Sequence, residues 1–376
     1  MEEYRDAFRR VVDEVVAPGA TEVDAKGRFP GEAMAALGRA GVLGLTSALD
    51  VGGGGQGLAA ATEVIEALAG ACGSTAMVVL MHFAGTAAIE AYGPTGVRRD
   101  IAAGNHLTTL AFSEVGSRSH FWAPQGTATP DGDGAGVRLN AKKNWVTSAR
   151  DADSYVWSSR PWAAGGPMTL WLVPAHAQGL MPSGGFDGLG LRGNGSIPVT
   201  AENVAVAAGA MMGGDGAGLD VALAVVLPWF LILSAAFSLG IMEAVTAETG
   251  RHLTATRLEH LDQALVHQPV ARADYARMRL MTDTSRAMLA DTLAAVGAGR
   301  DDATLRVLEV KAVAGEAAIA VTDLAMKLCG GAAFRRELGI ERHFRDARAA
   351  RVMAPTTDAL LDFVGRAIAG LPLLDA

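Results

Sequence analysis

Apolar positions recur at helical spacing from the N-terminus to about residue 109 and return to it from about Gly218 onwards. Between Thr108 and Val206 they fall into short β-favouring runs. Met1–Val16 mixes charged and apolar residues at helical spacing. Pro30 is placed to open a second helix and Gly41 to end it. Leu58–Ala71 and Ser74–Tyr92 are long helical patterns rich in small residues, which predicts closely approaching helices. The middle runs are Gly126-Thr-Ala-Thr, Val137-Arg-Leu-Asn, Ser154-Tyr-Val-Trp-Ser, Met168-Thr-Leu-Trp-Leu-Val and Ser196-Ile-Pro-Val-Thr. Turn clusters such as Pro130-Asp-Gly-Asp-Gly separate them, which predicts an antiparallel sheet or barrel. Leu219–Arg251, Pro269–Val296 and Asp302–Cys329 are each long enough for a bundle helix. The order helices, strands, helices makes an α+β chain with boundaries expected at 1–109, 110–210 and 211–376.

One segment challenges a soluble reading. Val221 to Met242 carries no charge over 22 residues, enough to span a bilayer. Pro228 interrupts it, no Lys or Arg cluster flanks it, and a helix buried on all sides of a bundle would read the same way. We therefore expect no membrane insertion. The formal charge of -8 argues against nucleic acid as a partner. Two cysteines, Cys72 and Cys329, make no disulfide framework, and the charged N-terminus lacks a signal-peptide pattern; both suit the cytoplasm. No metal-ligand spacing occurs.

Gly52-Gly-Gly-Gly-Gln-Gly57 formally matches a dinucleotide fingerprint. That motif needs a strand before it and a second strand after its helix. Here one helical pattern follows another, so a flexible turn is the better reading.

Three further blocks carry chemistry. Ser113-Glu-Val-Gly-Ser-Arg-Ser-His120 and Asn144-Trp-Val-Thr147 flank Leu139-Asn-Ala-Lys-Lys. A long C-terminal block runs from Lys327-Leu-Cys-Gly-Gly to Arg345-Asp-Ala-Arg348 and is followed by Val352-Met-Ala-Pro-Thr-Thr357. With Leu189-Gly-Leu-Arg-Gly-Asn-Gly and the Phe29-Pro start, these blocks resemble acyl-CoA dehydrogenases over essentially the whole chain. The resemblance implies an N-terminal helical domain, a central β-barrel-like domain and a C-terminal four-helix bundle. It implies FAD between the β-domain and the bundle, and a homodimer or homotetramer.

By the same resemblance Ser113, Trp145 and Thr147 would contact the flavin ring, as would Thr356. Arg257 and Gln268 would hold the pyrophosphate, often from a facing subunit; a guanidinium fork suits phosphate oxygens. The family's aromatic between them is His260 here, and its glutamine before the glycine pair is Lys327, a point charge that could meet phosphate. Ser119 matches a serine near the thioester arm, and Trp229, Phe230 and Ala354 fall at substrate-facing positions. Seen alone, Arg257 or Gln268 would read as part of a solvated helix face, and the Ser113 block as a hairpin with polar turns.

The departures concern the base. Removing a proton beside a thioester carbonyl needs a carboxylate, or its equivalent, within hydrogen-bond reach. One family position for that Glu is Ala354, followed by Pro355. The other falls near Trp229, in a stretch without Asp, Glu or His, where Phe230 or Leu231 replaces the usual Arg. The remaining acid–base candidates are His120, His260, His343 and Asp358, though a lone histidine is more often structural. His120 adjoins the flavin motif. Asp358 is expected one turn beyond Ala354 on one helix face. The resemblance therefore implies a flavin-dependent oxidoreductase of an acyl thioester or other small apolar substrate. A flavin-dependent monooxygenase and a catalytically degenerate subunit are the alternatives.

Overall fold

The computed structural model describes residues 2–117, 120–132, 136–336 and 338–374, leaving aside the side chains of Glu2 and Glu3. Its contacts gather into two compact units. The first comprises Met1–Ala61, Met77–Gly188 and Arg192–Phe230; the second comprises Thr62–Ala76, Leu189–Leu191 and Leu231–Ala376.

The first unit opens with α1 (Glu2–Val11), a π-turn over Val12–Val16, and α2 (Ala17–Lys26), which Gly27 caps at φ 59°. α3 (Gly31–Arg39) begins after Pro30. α4 (Leu58–Ala71) and α5 (Gly73–Tyr92) each start or end in the other unit, and α6 (Thr95–Ala102) follows. The glycine run Gly52–Gly57 follows a short 3₁₀ turn (Leu49–Val51), not a strand, and Gly53 lies where a Cβ would fall 2.3 Å from the Ser47 carbonyl oxygen. That is a packed turn, without the βαβ context of a nucleotide loop.

Among the described residues eight strands complete this unit: β1 (Thr108–Ala111), β2 (Thr127–Pro130), β3 (Gly136–Val146), β4 (Ser154–Ser159), β5 (Thr169–Pro174), β6 (Leu180–Pro182), β7 (Ile197–Ala207) and β8 (Met211–Met212). They form two four-stranded sheets, ordered β1-β4-β5-β8 and β2-β3-β7-β6. Alternate residues of β3, β4, β5 and β7 build one shared core, with Leu139, Tyr155, Trp157, Trp171, Val199 and Val204 within it. One pairing departs from the antiparallel expectation: β1 lies parallel to β4, because the long excursion through β2 and β3 returns the chain in the same direction.

The second unit is helical. α8 (Leu227–Ala255) continues from α7 (Gly218–Val221) through a π-turn over Ala222–Val226. A small hairpin, β9 (Arg257–Leu258) with β10 (Gln263–Ala264), leads to α9 (Pro269–Ala298) and α10 (Ala303–Phe334). α11 (Ile340–Ala347), α12 (Ala349–Val352) and α13 (Thr357–Ile368) pack on α10, as does α9. α10 breaks at Gly330 (φ 53°, ψ -132°), one residue past the end expected at Cys329.

The apolar stretch of α8 is explained by burial: Leu231, Ile232, Leu233, Ala235, Ala236, Ile241 and Met242 have no exposed surface. Among the described residues, three helical stretches are long and apolar enough to cross a membrane (Gly73–Tyr92, Gly218–Ala255 and Ala303–Phe334), and protein covers most of the apolar window in the first two. Gly240 sits where a Cβ would fall 2.1 Å from the Glu66 carbonyl oxygen, so α4 and α8 touch backbone to backbone.

Candidate functional site

In the first unit the two flavin-type motifs are neighbours. The Asn144 N–H donates to the Ser113 carbonyl (2.9 Å), and Glu114 bridges to Lys143 in the strand ladder. β3 bulges between Lys143 and Val146, and Trp145 sits in that bulge at φ 56°. A bulge re-aims a side chain that the pleat would otherwise place. Trp145 is accordingly 63% exposed, edge-on to Phe186 at 6.3 Å between ring centroids. Thr147 is buried and shares a 3.0 Å hydrogen bond with Ser196, whose N–H donates to Asn194 Oδ1. The adjacent Ser148 hydroxyl is buried with no partner among the described residues.

A buried ion pair ties the motifs together. Lys143 Nζ donates to Glu114 Oε1 (2.5 Å), to the Ser158 carbonyl (2.7 Å) and to Ser158 Oγ (2.8 Å), and lies 5.1 Å from the Trp157 ring centre. Glu114 Oε2 accepts from the N–H groups of Gln125 (2.6 Å) and Gly126 (2.8 Å). Burial pushes Lys143 down to about 8, against the pull of Glu114 towards the charged form. Neither residue was a sequence candidate. Lys143 stands within β3, where nothing in the run of residues marks it as inward-pointing.

His120 lies in an exposed turn beyond the strands, with Nδ1 on the Ser117 carbonyl (3.1 Å) and its ring edge-on to Trp122. Ser119, expected near a thioester arm, lies outside the described residues. In the first turn of α8, Trp229 is half-buried and Phe230 is buried.

In the second unit Arg257 stands exposed on the β9–β10 hairpin, paired with Asp262. Gln268 is the N-cap residue of α9, with no side-chain bond to the helix. Lys327 bonds Asp274 at 2.7 Å, and Arg277 holds the same carboxylate. These two cations, Lys327 first, keep Asp274 below the ordinary carboxylate range. The charge proposed for phosphate thus has a carboxylate partner within its own unit. His260 is exposed on the hairpin's 3₁₀ turn.

His343 is buried on α11 with Nδ1 unpartnered among the described residues, and burial pushes it down to about 3. It is a neutral core residue.

The expected helix face shared by Ala354 and Asp358 does not exist. Ala354 lies between α12 and α13, joined to Pro355 by a cis peptide bond, and α13 starts only at Thr357. Pro355 ends the helical run because a residue before proline is driven out of the α region. Asp358 is exposed, and the Thr356 hydroxyl accepts from the Ala359 N–H at 3.4 Å as the N-cap of α13. Beneath Ala354 lies a second buried lysine. Lys311 Nζ donates to the carbonyls of Ala350, Met353 and Pro355. Burial pushes it down to about 7.

The block Leu189–Leu191 is anchored in this unit too. Asp346 accepts from the Leu191 N–H (2.6 Å), and Gly190 lies where a Cβ would fall 2.5 Å from the Arg345 backbone.

Comparison with known proteins fits this arrangement. The acyl-CoA dehydrogenase N-terminal domain matches residues 1–103, the middle domain residues 109–204 and the C-terminal domain residues 216–369. A probable acyl-CoA dehydrogenase of Mycobacterium bovis, fadE25, is 25% identical over 376 residues, covering 98% of this chain and 95% of its own. The structure of butyryl-CoA dehydrogenase from Megasphaera elsdenii superposes with a TM-score of 0.90 at 22% identity, over 98% of each chain. That of the prolyl acyl carrier protein oxidase AnaB does so with a TM-score of 0.88 at 18% identity, over 98% of this chain and 99% of its own.

Helices, paired sheets and helices with these motifs define a flavin-dependent oxidoreductase, with FAD as its cofactor. The chain belongs to the acyl-CoA dehydrogenase family. Its residues suit a flavin. An indole held out of its strand and backed by Phe186 makes an apolar platform, and the nearby hydroxyl of Ser148 awaits a partner.

Proposed function

We propose that this chain is an FAD-dependent oxidoreductase of an acyl thioester whose proton-abstracting position holds no carboxylate. The observation that carries the reading is Ala354, in a chain that keeps Ser113, Thr147, Arg257, Gln268 and Thr356 of the flavin-type motifs while Val115, Arg118 and His120 depart from them. FAD, when bound, supplies a hydride acceptor. Ser113, Trp145, Thr147 and Thr356 would hold its ring, and Arg257, Gln268 and Lys327 its phosphates. Trp229, Phe230, Ala354 and Ser119 would face the substrate. The names of the relatives point to a thioester of coenzyme A or of a carrier protein. A homo-oligomer, a cytoplasmic location and domain boundaries at 1–109, 110–210 and 211–376 belong to the same reading.

The absent carboxylate also favours a second reading. A flavin-dependent monooxygenase needs no base beside a thioester, so the vacancy at 354 would cost it nothing.

Three measurements separate these readings. Purified protein should show a flavin absorbance spectrum; colourless protein that takes up no FAD would leave only a ligand-holding subunit. Anaerobic butyryl-CoA should bleach the flavin slowly, and Ala354→Glu should bleach at least about tenfold faster, since a general base is worth about 10²–10⁴ in rate. Rapid bleaching of the unmodified protein would overturn the missing base. Oxygen consumption with a reductase and NAD(P)H, without bleaching by any thioester, would favour the monooxygenase.

A further inference from the structure

Lys311 is 2% exposed, and its ammonium meets the carbonyls of Ala350 (3.1 Å), Met353 (3.1 Å) and Pro355 (2.8 Å). In the charged form three donors meet three acceptors, so no proton is left for another partner. Among the described residues no carboxylate lies within ion-pair distance of it. The nearest acidic residues along α10 are engaged elsewhere, Glu316 with Arg351 of α12 and Glu309 with Arg306, while Asp358 of α13 is exposed.

A lone buried cation is costly unless its bonds organise something. What it organises here is the stretch from the end of α12 to the start of α13, whose carbonyls belong to no strand and to no continuing helix. That stretch contains Ala354.

We propose that Lys311 is a positioning residue that fixes the Ala350–Pro355 segment by three carbonyl bonds and thereby sets where Ala354 stands against a bound acyl thioester. The second half of this statement rests on the proposed function, in which Ala354 faces the substrate. Lys311 is not a replacement base: its protons all point at backbone and its side chain is closed off from solvent. With no carboxylate at 354 to orient the reacting carbon, the placement of the backbone carries that task.

The test uses FAD-loaded protein, with Lys311→Met to remove the donors at similar length and Lys311→Arg to keep the charge. Hydrogen exchange is followed in peptides covering 349–356, where the Met353 N–H donates to the Ala349 carbonyl at 3.0 Å. Butyryl-CoA affinity is read from its perturbation of the flavin spectrum. In Lys311→Met, exchange at Met353 should speed up at least about tenfold and affinity should fall about tenfold, near 1.4 kcal/mol, with FAD content retained. Lys311→Arg should recover part of both. Unchanged exchange would overturn the proposal, and so would faster exchange with unchanged affinity.

If the Met variant does not fold, the Arg variant decides, because a planar fork cannot place three donors at one point. Wild-type exchange and affinity in Lys311→Arg would then overturn the proposal. A flavin spectrum blind to butyryl-CoA in the unmodified protein counts against the functional reading instead, while the exchange result still judges Lys311.

Discussion

At the scale of single residues, the pair of buried lysines separates what the chain displays from what it hides. Lys143 and Glu114 join segments 29 residues apart, and their charges are compensated inside the β-core by Ser158 and two backbone N–H groups. Removing one partner leaves the other charge stranded, so Lys143→Met or Glu114→Leu should each cost about 3–5 kcal/mol in urea unfolding, and the double variant less than their sum. Additive losses would mean that the two charges are solvated independently. His120 carries the opposite expectation. Its ring nitrogen caps a turn and its surface is open, so His120→Asn should leave FAD content and flavin bleaching within about twofold of the parent across pH 6 to 8, the ordinary range of structural substitutions. A tenfold fall would return it to the acid–base candidates. Ser113, Trp145 and Thr147 were marked out by a motif as candidate flavin contacts. Glu114 and Lys143 were not, because their meeting depends on strand pairing and a bulge that no local pattern announces.

At the scale of elements, spacing located the long helices well and misjudged how short ones end. α8, α9 and α10 follow from long apolar periodicity, and the break of α10 follows from the Gly330-Gly331 pair. Ala354 and Asp358 are expected on one helix face, yet Pro355 and the capping hydroxyl of Thr356 divide that stretch, and α13 starts only at Thr357. The parallel β1–β4 pairing was likewise invisible, since periodicity does not fix strand direction. Small residues matter most where helices cross. Gly240→Ala would drive a methyl into the Glu66 carbonyl, and the helices would have to part. A loss of about 1–3 kcal/mol is expected in chemical denaturation. A neutral result would show that α4 shifts freely on α8.

At the scale of the whole molecule, each compact unit contains a fully buried neutral histidine. In the first, His82 Nε2–H donates to the Leu43 carbonyl and Nδ1 accepts from the Thr108 N–H; burial pushes it down to about 4. In the second, His343 is pushed down to about 3. Both folded values lie below the unfolded value of about 6.5, so the unfolded chain binds more protons between the two. Stability is therefore complete above pH 6.5 and falls on acidification towards pH 4, by roughly 1.4 kcal/mol per pH unit for each histidine. Urea unfolding at pH 7 and pH 5 checks this, and His343→Leu should remove its share of the slope. A flat profile would mean that one or both rings are charged in the fold.

The uncharged run of α8 has a consequence for the protein before it is a protein. Glu243, which ends that run, is neutralised by Arg279 and Arg286, residues 36 and 43 positions later in the chain. While the ribosome is still making those residues, Val221–Met242 emerges as a bare apolar span of the length that membrane-targeting machinery recognises. In that interval Glu243 stands without its two arginine partners, and the apolar segment beside it is open to aggregation and to chaperones.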